Sequence, residues 1–260
     1  MLYSDGKSYS NINTARSALS SFVIIDNFCV GSHPLVKRFM KGVFSLRPTK
    51  ARYEGTWDVS TMLDYLRTLS PVKQLSLKDL TMKLVMLLLL VTAQRKQTLL
   101  LLDVLQLQLT DSSCVFQLTG LVKTSRPSDP KRSLVIKAYA PDRRLCIIFV
   151  LKEYLERTKL LRKQQTQLFI SFKEPFKVVT GQTISRWILD TMAKAGINTN
   201  VFKPHSTRSA AVSKADARKV PINSILEKAG WKSSNTFAKY YKKEILKDTF
   251  QDAVLGDNSD

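Results

Sequence analysis

The stretch His205-Ser206-Thr207-Arg208, with Gly230-Trp231 and Tyr240-Tyr241 further along, decides how the whole chain is interpreted. If this stretch is helical, the imidazole of His205 and the guanidinium of Arg208 share one face, because residues three apart are neighbours on a helix. Arg95 adds a second guanidinium from the first half of the chain. Two arginines, a histidine and a phenol are the groups that an attack on a phosphodiester needs when no metal ion takes part.

The composition favours a folded protein with a polyanionic partner. The chain has 260 residues, of which 44% are hydrophobic and 24% charged, so it can bury a sizeable core. Lys and Arg number 41 against 21 Asp and Glu, which gives a formal charge of +20. Such an excess in a protein with an apolar core indicates nucleic acid first and an anionic membrane surface second. A basic protein without such a partner is the plainer alternative.

Nothing in the sequence indicates a metal, a cofactor or a membrane span. Cys29, Cys114 and Cys146 are widely separated and form no CxxC pair, so we interpret them as reduced, buried thiols. No secretory signal is visible, and the longest apolar run, residues 84–91, is far shorter than the roughly 20 residues that span a bilayer. We therefore expect an intracellular protein with no metal, no cofactor, no membrane partner and no small-molecule substrate.

The pattern of residues 1–47 predicts a small helical domain, which we interpret as the remnant of a larger one. Residues 10–19 carry cap residues before an apolar stripe, and residues 34–44 open with a proline suited to a first helical turn. The second helix carries basic side chains that either face a phosphate backbone or are simply solvated; both readings stay open. These basic residues are Lys37, Arg38, Lys41 and Arg47.

Residues 48–57 predict a linker between this domain and a larger one. The segment has no periodicity, contains Pro48 and Gly55, and includes Lys50 and Arg52, which could lie along a DNA backbone. The larger domain is expected over residues 58–260.

From residue 58 the pattern is strongly helical. Residues 77–91, preceded by Ser76 as a candidate N-cap, are apolar nearly all round in their second half, so this helix should be central. A second buried helix is predicted over residues 98–104. Arg95 lies between these two segments, where a guanidinium is costly unless it is paired or faces a ligand. A structural salt bridge is the alternative interpretation of Arg95.

The middle of the domain changes to strand periodicity. Residues 105–109, 114–118 and 133–137 alternate as strands do, which predicts a small antiparallel sheet. The last two strands are joined by a polar, basic loop that carries Lys123, Arg126 and Lys131. Helices follow over residues 146–158, 183–195, 206–217 and 221–230, and after a cap at residues 234–236. The predicted fold class is mainly α with a small antiparallel β-sheet.

These residues resemble one family. Thr92-Ala93-Gln94-Arg95, Lys123 on a hairpin, His205-x-x-Arg208, Gly230-Trp231 and a terminal tyrosine are similar to the catalytic set of the tyrosine recombinases, or phage-type integrases. The resemblance covers nearly the whole chain and is strongest over residues 80–245. Residues 121–127 and 205–211 look closest to recombinases of the DIRS and Ngaro retrotransposons. The resemblance implies a tyrosine recombinase catalytic fold preceded by a small helical DNA-clamping domain.

The resemblance also implies a set of residue roles. A tyrosine would attack a DNA phosphate, form a 3′-phosphotyrosyl link and release a 5′-hydroxyl. Arg95 and Arg208 would hold the non-bridging oxygens, because forked donors match an oxyanion. His205 and Trp231 would complete the phosphate pocket, and Lys123 would protonate the leaving oxygen. No metal or cofactor would be needed, since the covalent link conserves the bond energy.

Two positions depart from the family pattern, and the nucleophile has two candidates. Ala93 stands where glycine is common, and Thr98 stands where many relatives have an acidic residue. Spacing from Trp231 as in phage integrases favours Tyr240, whereas the Phe-x-x-x-Tyr pattern of the retrotransposon group favours Tyr241. We predict Tyr241 as the nucleophile, with Tyr240 as the alternative.

The resemblance implies double-stranded DNA as partner, a tetramer on DNA because recombination cuts four strands, and a nuclear location. The expected function is site-specific DNA strand exchange that integrates a mobile element. A domesticated, inactive DNA-binding protein and a type IB topoisomerase-like nicking-closing enzyme are the alternatives. A module for anionic membranes is disfavoured, because no basic amphipathic helix carries a bulky apolar face.

Overall fold

The computed structural model describes residues 2–49, 53–120, 132–231, 237 and 243–246. The chain divides into two compact units, Met1–Arg52 and Tyr53–Asp260. Within the described ranges, no helix has both the length and the apolar character needed to cross a membrane.

The first unit is a pair of helices with a short hairpin between them. Ser8, which lies ahead of the predicted cap residues, caps the first helix through its side chain. Pro34 occupies the first turn of the second helix, as the sequence predicts. A small core of Ile12, Met40 and Val43 joins the helices. The elements are α1 (Tyr9–Leu19), β1 (Ile24–Ile25), β2 (Phe28–Cys29) and α2 (Pro34–Leu46).

The second unit is mainly helical and carries two small sheets. Its helices are α3 (Val59–Thr68), α4 (Leu77–Thr92), α5 (Lys96–Leu100), α6 (Ile147–Thr158), α7 (Gly181–Lys194), α8 (Ser206–Ala217) and α9 (Ile222–Ala229). Its strands are β3 (Gly55–Trp57), β4 (Leu107–Leu109), β5 (Ser113–Leu118), β6 (Arg132–Lys137) and β7 (Glu244–Leu246). The predicted fold class is confirmed.

Helix α4 is the centre of this unit, as its all-round apolar sequence predicts. Ser76 caps the helix: its hydroxyl accepts from the Asp79 backbone N–H at 3.0 Å and donates to the Asp79 carboxylate at 2.7 Å. Residues 80–90 are all buried, because α6, α7 and α8 pack around them. The helix ends at Ala93, whose φ of 50° is left-handed.

The three-stranded antiparallel sheet predicted from alternation is present in the order β4-β5-β6. Leu107 pairs with Phe116, and Cys114 pairs with Ile136. The side chains on one face, including Cys114, Phe116, Leu134 and Ile136, join the main core. The strands that period-two alternation predicted are therefore present, and the alternation of their side chains buries one face.

The interpretation of residues 48–57 as a linker is wrong for its second half. Residues 55–57 form the buried strand β3, which pairs in parallel with β7 so that Gly55 lies opposite Glu244 and Trp57 opposite Leu246. A three-residue strand whose partner lies nearly 190 positions away leaves no local periodicity. Tyr53 also belongs to the second unit, so the boundary expected at residue 58 lies earlier.

The second buried helix, expected over residues 98–104, is shorter and earlier than predicted. Helix α5 ends at Leu100, and the chain then runs extended beside residues 166–168. Val104 N–H donates to the Thr166 carbonyl at 2.7 Å, and Leu168 N–H donates to the Leu102 carbonyl at 2.7 Å. This long-range pairing overrides a locally helical apolar pattern. The helix expected after residues 234–236 lies almost wholly outside the described residues.

Candidate active site

The site is built around the beginning of α8. His205 is the N-cap residue of this helix, and its side chain is exposed. The backbone N–H groups of Ser206 and Thr207 donate to the carbonyls of Lys203 and Pro204, at 2.8 and 3.4 Å. Because the preceding turn uses these two N–H groups, an anion at this helix end has to be held mainly by side chains.

Arg208 supplies the buried cation of the site. Its residue is only 3% exposed, and its Nη2 donates to the Ala229 carbonyl at 2.6 Å. Its guanidinium carbon lies 4.4 Å from the centroid of the Trp231 ring, a cation–π distance. Gly230, with a left-handed φ of 67°, ends α9 between these two contacts. Ala229 and Trp231, on either side of Gly230, thus both contact the Arg208 guanidinium.

The segment that carries Arg95 is bound to the same end of α9 through the adjacent residue, Gln94. The Gln94 side chain donates through Nε2 to the Lys228 carbonyl at 2.7 Å, and its Oε1 accepts from the Thr98 hydroxyl at 3.3 Å. Lys228 precedes Ala229, so the segments that carry Arg95 and Arg208 are fastened to consecutive carbonyls. Arg95 is half-buried, and its guanidinium makes no hydrogen bond or ion pair with any residue that the structure describes.

A small apolar cluster supports this convergence. Ala93 packs with Ala229 and Trp231 in a cluster that also contains Val212, Ile225 and Phe237. The φ of Ala93 is left-handed, a conformation in which L side chains are disfavoured and glycine is not, which agrees with the glycine that the family resemblance leads us to expect at this position. Thr98, at the position where many relatives are acidic, instead hydrogen-bonds Gln94 and thereby orients the Arg95 segment.

His205 is contacted by a residue that the sequence placed in a linker. The Tyr53 hydroxyl lies 3.3 Å from His205 Nε2, and the two ring centroids are 5.5 Å apart. On the same segment, Trp57 Nε1 donates to the Ser206 hydroxyl at 2.9 Å. Tyr53, Trp57 and Gln94 are therefore site residues that sequence reasoning missed. Only their proximity in the fold identifies them, since neither segment has a periodic pattern.

Several predicted site residues lie outside the described residues: Lys123, Tyr240, Tyr241, Lys50, Arg52, Arg126 and Lys131. Their roles remain predictions. The strands that flank residues 121–131 are described, and Lys228 Nζ donates to the Val135 carbonyl at 2.8 Å. This bond fastens β6 to α9, the helix at which the two arginine segments converge.

The basic residues predicted on the first unit have different environments. Lys37, Arg38 and Lys41 are exposed on α2. Arg47 is half-buried, and its Nη1 donates to the carbonyls of residues 3 and 7, both at 3.0 Å. Its guanidinium also stacks on the ring of residue 3 at 4.1 Å. Arg47 thus holds the start of the chain against α2, a role that its sequence context did not indicate.

The arrangement is suited to binding an oxyanion. Arg208 contacts Trp231 at the end of α9, the Arg95 segment is bound to the same end through Gln94, and His205 lies at the beginning of α8. The forked donors of arginine match the oxygens of a phosphate. Among the described residues, no three His, Cys, Asp or Glu side chains lie together as metal ligands. These features define a candidate oxyanion-binding site in a domain of mainly helical fold.

Comparison with known families gives the class its name. The profile of the phage integrase family matches residues 58–245, which is most of the chain. The chain therefore belongs to the phage integrase family, the tyrosine recombinases, which are enzymes that cleave and rejoin DNA. No curated protein sequence matches the chain.

Solved structures share the fold at low sequence identity. The XerH site-specific recombinase bound to palindromic difH substrate in a post-cleavage complex has a TM-score of 0.62 at 16% identity, over 97% of this chain and 69% of that one. The XerA recombinase has a TM-score of 0.56 at 18% identity, over 97% and 84%. A lambda integrase dimer bound to a COC′ core site has 0.51 at 16% identity, over 100% and 63%. These likenesses concern the fold.

Proposed function

We propose that this protein is a site-specific DNA recombinase that cuts and rejoins double-stranded DNA through a 3′-phosphotyrosyl intermediate. The observation that carries the proposal is the convergence of two arginine segments on consecutive carbonyls at the end of α9. Gln94 binds Lys228 O, and Arg208 binds Ala229 O. Two distant parts of the chain, one next to Arg95 and one containing Arg208, are thereby bound to consecutive residues, and recognition of a single phosphate by two guanidinium groups would require such an arrangement.

The half-buried Arg95 supports the same proposal. A guanidinium withdrawn from water is costly unless charged or polar groups receive it. Its side chain has no such partner within the described part of the chain, so a structural salt bridge there does not account for it. A scissile phosphate would supply the missing acceptors. Arg95 and Arg208 would then stabilise the charge that develops on the non-bridging oxygens during attack.

The remaining roles follow the family chemistry. Tyr241, or alternatively Tyr240, attacks the phosphorus and displaces the 5′-oxygen. Lys123 gives the departing oxygen its proton, so a free 5′-hydroxyl leaves while the phosphate stays on the enzyme. His205 donates a hydrogen bond to the phosphate, and Trp231 packs against Arg208 and keeps it in place. A second 5′-hydroxyl reverses the sequence and rejoins the strands.

Strand exchange requires four such cuts, so the proposal includes assembly of four copies on two duplexes. A related fold, with a TM-score of 0.52 at 17% identity, has been solved as a lambda integrase tetramer bound to a Holliday junction. The formal charge of +20 favours DNA as partner, because cationic side chains release condensed counterions from the phosphate backbone. The resemblance of residues 121–127 and 205–211 to DIRS and Ngaro recombinases adds integration of a mobile element, in the nucleus.

A nicked suicide duplex tests the chemistry. Loss of a short 5′-hydroxyl strand after cleavage prevents rejoining, so an active enzyme accumulates a covalent protein–DNA adduct visible by denaturing electrophoresis. We expect the adduct in the wild type and in Tyr240→Phe, and none in Tyr241→Phe. The reverse pattern would identify Tyr240 as the nucleophile.

The alternatives give different results in the same experiment. A wild type that binds the duplex without forming an adduct would indicate an inactive DNA-binding protein. Relaxation of supercoiled plasmids without a paired site would indicate a topoisomerase-like enzyme. DNA affinity should fall steeply between 50 and 200 mM salt, as for proteins with several phosphate contacts. A flat salt dependence would contradict the DNA partner.

A further inference from the structure

The Arg95 side chain reaches the candidate site without a protein partner among the described residues. It is half-buried, and no hydrogen bond or ion pair joins its guanidinium to any part of the chain that the structure describes. A guanidinium on a flexible stem has several rotamers, and each of them points the forked donors in a different direction. The placement of its backbone therefore decides whether Arg95 can meet a phosphate.

The turn that carries Arg95 is held by its neighbours in the chain. The Thr98 backbone N–H donates to the Arg95 carbonyl at 2.9 Å, and the Gln94 backbone N–H donates to the Thr92 hydroxyl at 3.4 Å. These two bonds lie within the turn itself. The bond from Gln94 Nε2 to the Lys228 carbonyl, at 2.7 Å, instead joins the turn to the end of α9.

The Gln94 amide has one orientation that satisfies both of its neighbours. The Lys228 carbonyl can only accept a hydrogen bond, so it faces Nε2, and Oε1 is left to accept from the Thr98 hydroxyl at 3.3 Å. Thr98 is only 3% exposed, and a buried hydroxyl requires a partner. The Thr98 hydroxyl therefore orients the Gln94 amide towards α9.

The Gln94 side chain links the Arg95 segment to the residue beside the one that binds Arg208. Arg208 Nη2 donates to the Ala229 carbonyl, and Gln94 donates to the carbonyl just before it. Consecutive Cα atoms are about 3.8 Å apart, so the two attachment points have a fixed separation. The length and orientation of one glutamine side chain thereby set how far the Arg95 backbone lies from the Arg208 segment.

We infer that Gln94 is a positioning residue for Arg95, with its amide oriented by Thr98. The amide fixes the turn against α9, so that the Arg95 guanidinium is presented to the same phosphate as Arg208. This inference rests on the proposed DNA-cleaving function and deepens it. It assigns a task to a side chain that does not itself touch the phosphate.

The first test measures adduct formation on the nicked duplex. Gln94→Leu keeps most of the volume and removes the amide, so the rate should fall about tenfold, the effect of losing about one well-placed hydrogen bond. Gln97→Leu, at an exposed glutamine that makes no hydrogen bond with the described residues, is the matched control and should keep the wild-type rate. Thr98→Val, which lacks the hydroxyl, should be slower than Thr98→Ser, which retains it.

Two further comparisons show whether Gln94 acts through Arg95. In an Arg95→Ala background, Gln94→Leu should cause no further loss, because the guanidinium that it positions is absent. A scissile methylphosphonate, in which a methyl group replaces one non-bridging oxygen, carries no charge for a guanidinium to neutralise. On this linkage the defects of Arg95→Ala and of Gln94→Leu should both shrink, the latter from about tenfold to within about twofold.

A third measurement does not depend on cleavage. The Arg95 Nε–H signal in ¹⁵N–¹H spectra of the full chain is assigned by its loss in Arg95→Lys and followed while inorganic phosphate is added. We expect a saturable shift in the wild type, and an apparent Kd for phosphate about tenfold weaker in Gln94→Leu. Gln97→Leu should titrate as the wild type does.

The outcomes separate the inference from the proposed function. A Gln94→Leu defect that persists without Arg95, or an unchanged phosphate titration of Arg95, would overturn the positioning role. A wild type without any adduct would refute the proposed function, while the titration still reports whether Gln94 places Arg95. If thermal unfolding shows a damaged fold in Gln94→Leu, the comparison of Thr98→Val with Thr98→Ser decides.

Discussion

Lys83 is fully buried in the middle of α4, with 0% of its surface exposed. Its Nζ donates to the Leu66 carbonyl at 2.9 Å and to the Leu69 carbonyl at 2.6 Å, so it binds the C-terminal end of α3. Burial of the ammonium lowers the pKa of Lys83 from 10.5 to about 8. The two hydrogen bonds to backbone carbonyls thus offset part of the desolvation cost of burying Lys83 in an otherwise apolar helix.

This lowered pKa makes the stability of the second unit dependent on pH. Between about pH 8 and 10.5 the unfolded chain keeps the Lys83 proton while the folded chain has lost it, so the free energy of unfolding rises with pH. The full cost of the buried charge, about 3 kcal/mol, applies below pH 8 and disappears above 10.5. From pH 7 to 9.5 the relief amounts to about 2 kcal/mol.

Lys83→Met removes the titrating group and keeps most of the volume. The free energy of unfolding of the wild type minus that of Lys83→Met should therefore increase by about 2 kcal/mol between pH 7 and 9.5. Urea unfolding followed by tryptophan fluorescence measures it, since Trp57, Trp187 and Trp231 all lie in the second unit. Lys78→Met, at an exposed lysine on the same helix, should keep the wild-type pH dependence. A difference that stays constant over this range would refute the argument.

Three further predictions follow from particular contacts. Arg208→Lys keeps the charge but loses the forked donor and the flat group over Trp231, so unfolding in urea should show a loss of about 2–4 kcal/mol and no adduct should form; wild-type stability would contradict this. Ala93→Val should cost more than about 2 kcal/mol, because a β-branched side chain is forced to a positive φ, whereas Ala93→Gly should stay within about 1 kcal/mol, since relieved strain offsets the lost methyl. Equal effects of the two changes on the melting transition would remove the strain argument. Lys41→Ala should lower the salt slope of DNA binding by about 1, while Arg47→Ala should mainly speed hydrogen exchange in the first unit; equal losses of DNA affinity would count against the structural role of Arg47.

Local patterns in the sequence predicted the elements that have a clear periodicity. Apolar residues at every turn identified α4 as the central helix, and Ser76 marked its beginning. Strict alternation predicted β5 and β6, and the structure pairs them. The resemblance to the tyrosine recombinases grouped Arg95, His205, Arg208 and Trp231 into one predicted set, because residue type at fixed spacing is a property of the sequence alone.

Only the tertiary structure decided how those residues are held. Strand β3 exists because β7 pairs with it, and Tyr53 contacts His205 from more than 150 positions away, so neither leaves a local signature. Gln94 and Arg208 meet at consecutive carbonyls of α9 because α4, α8 and α9 pack together in three dimensions. The sequence by itself determined which chemical groups are present and which helices and strands carry them. The tertiary structure decided which of them share a site, since hydrogen bonds and close packing between distant segments depend on geometry that no local pattern encodes.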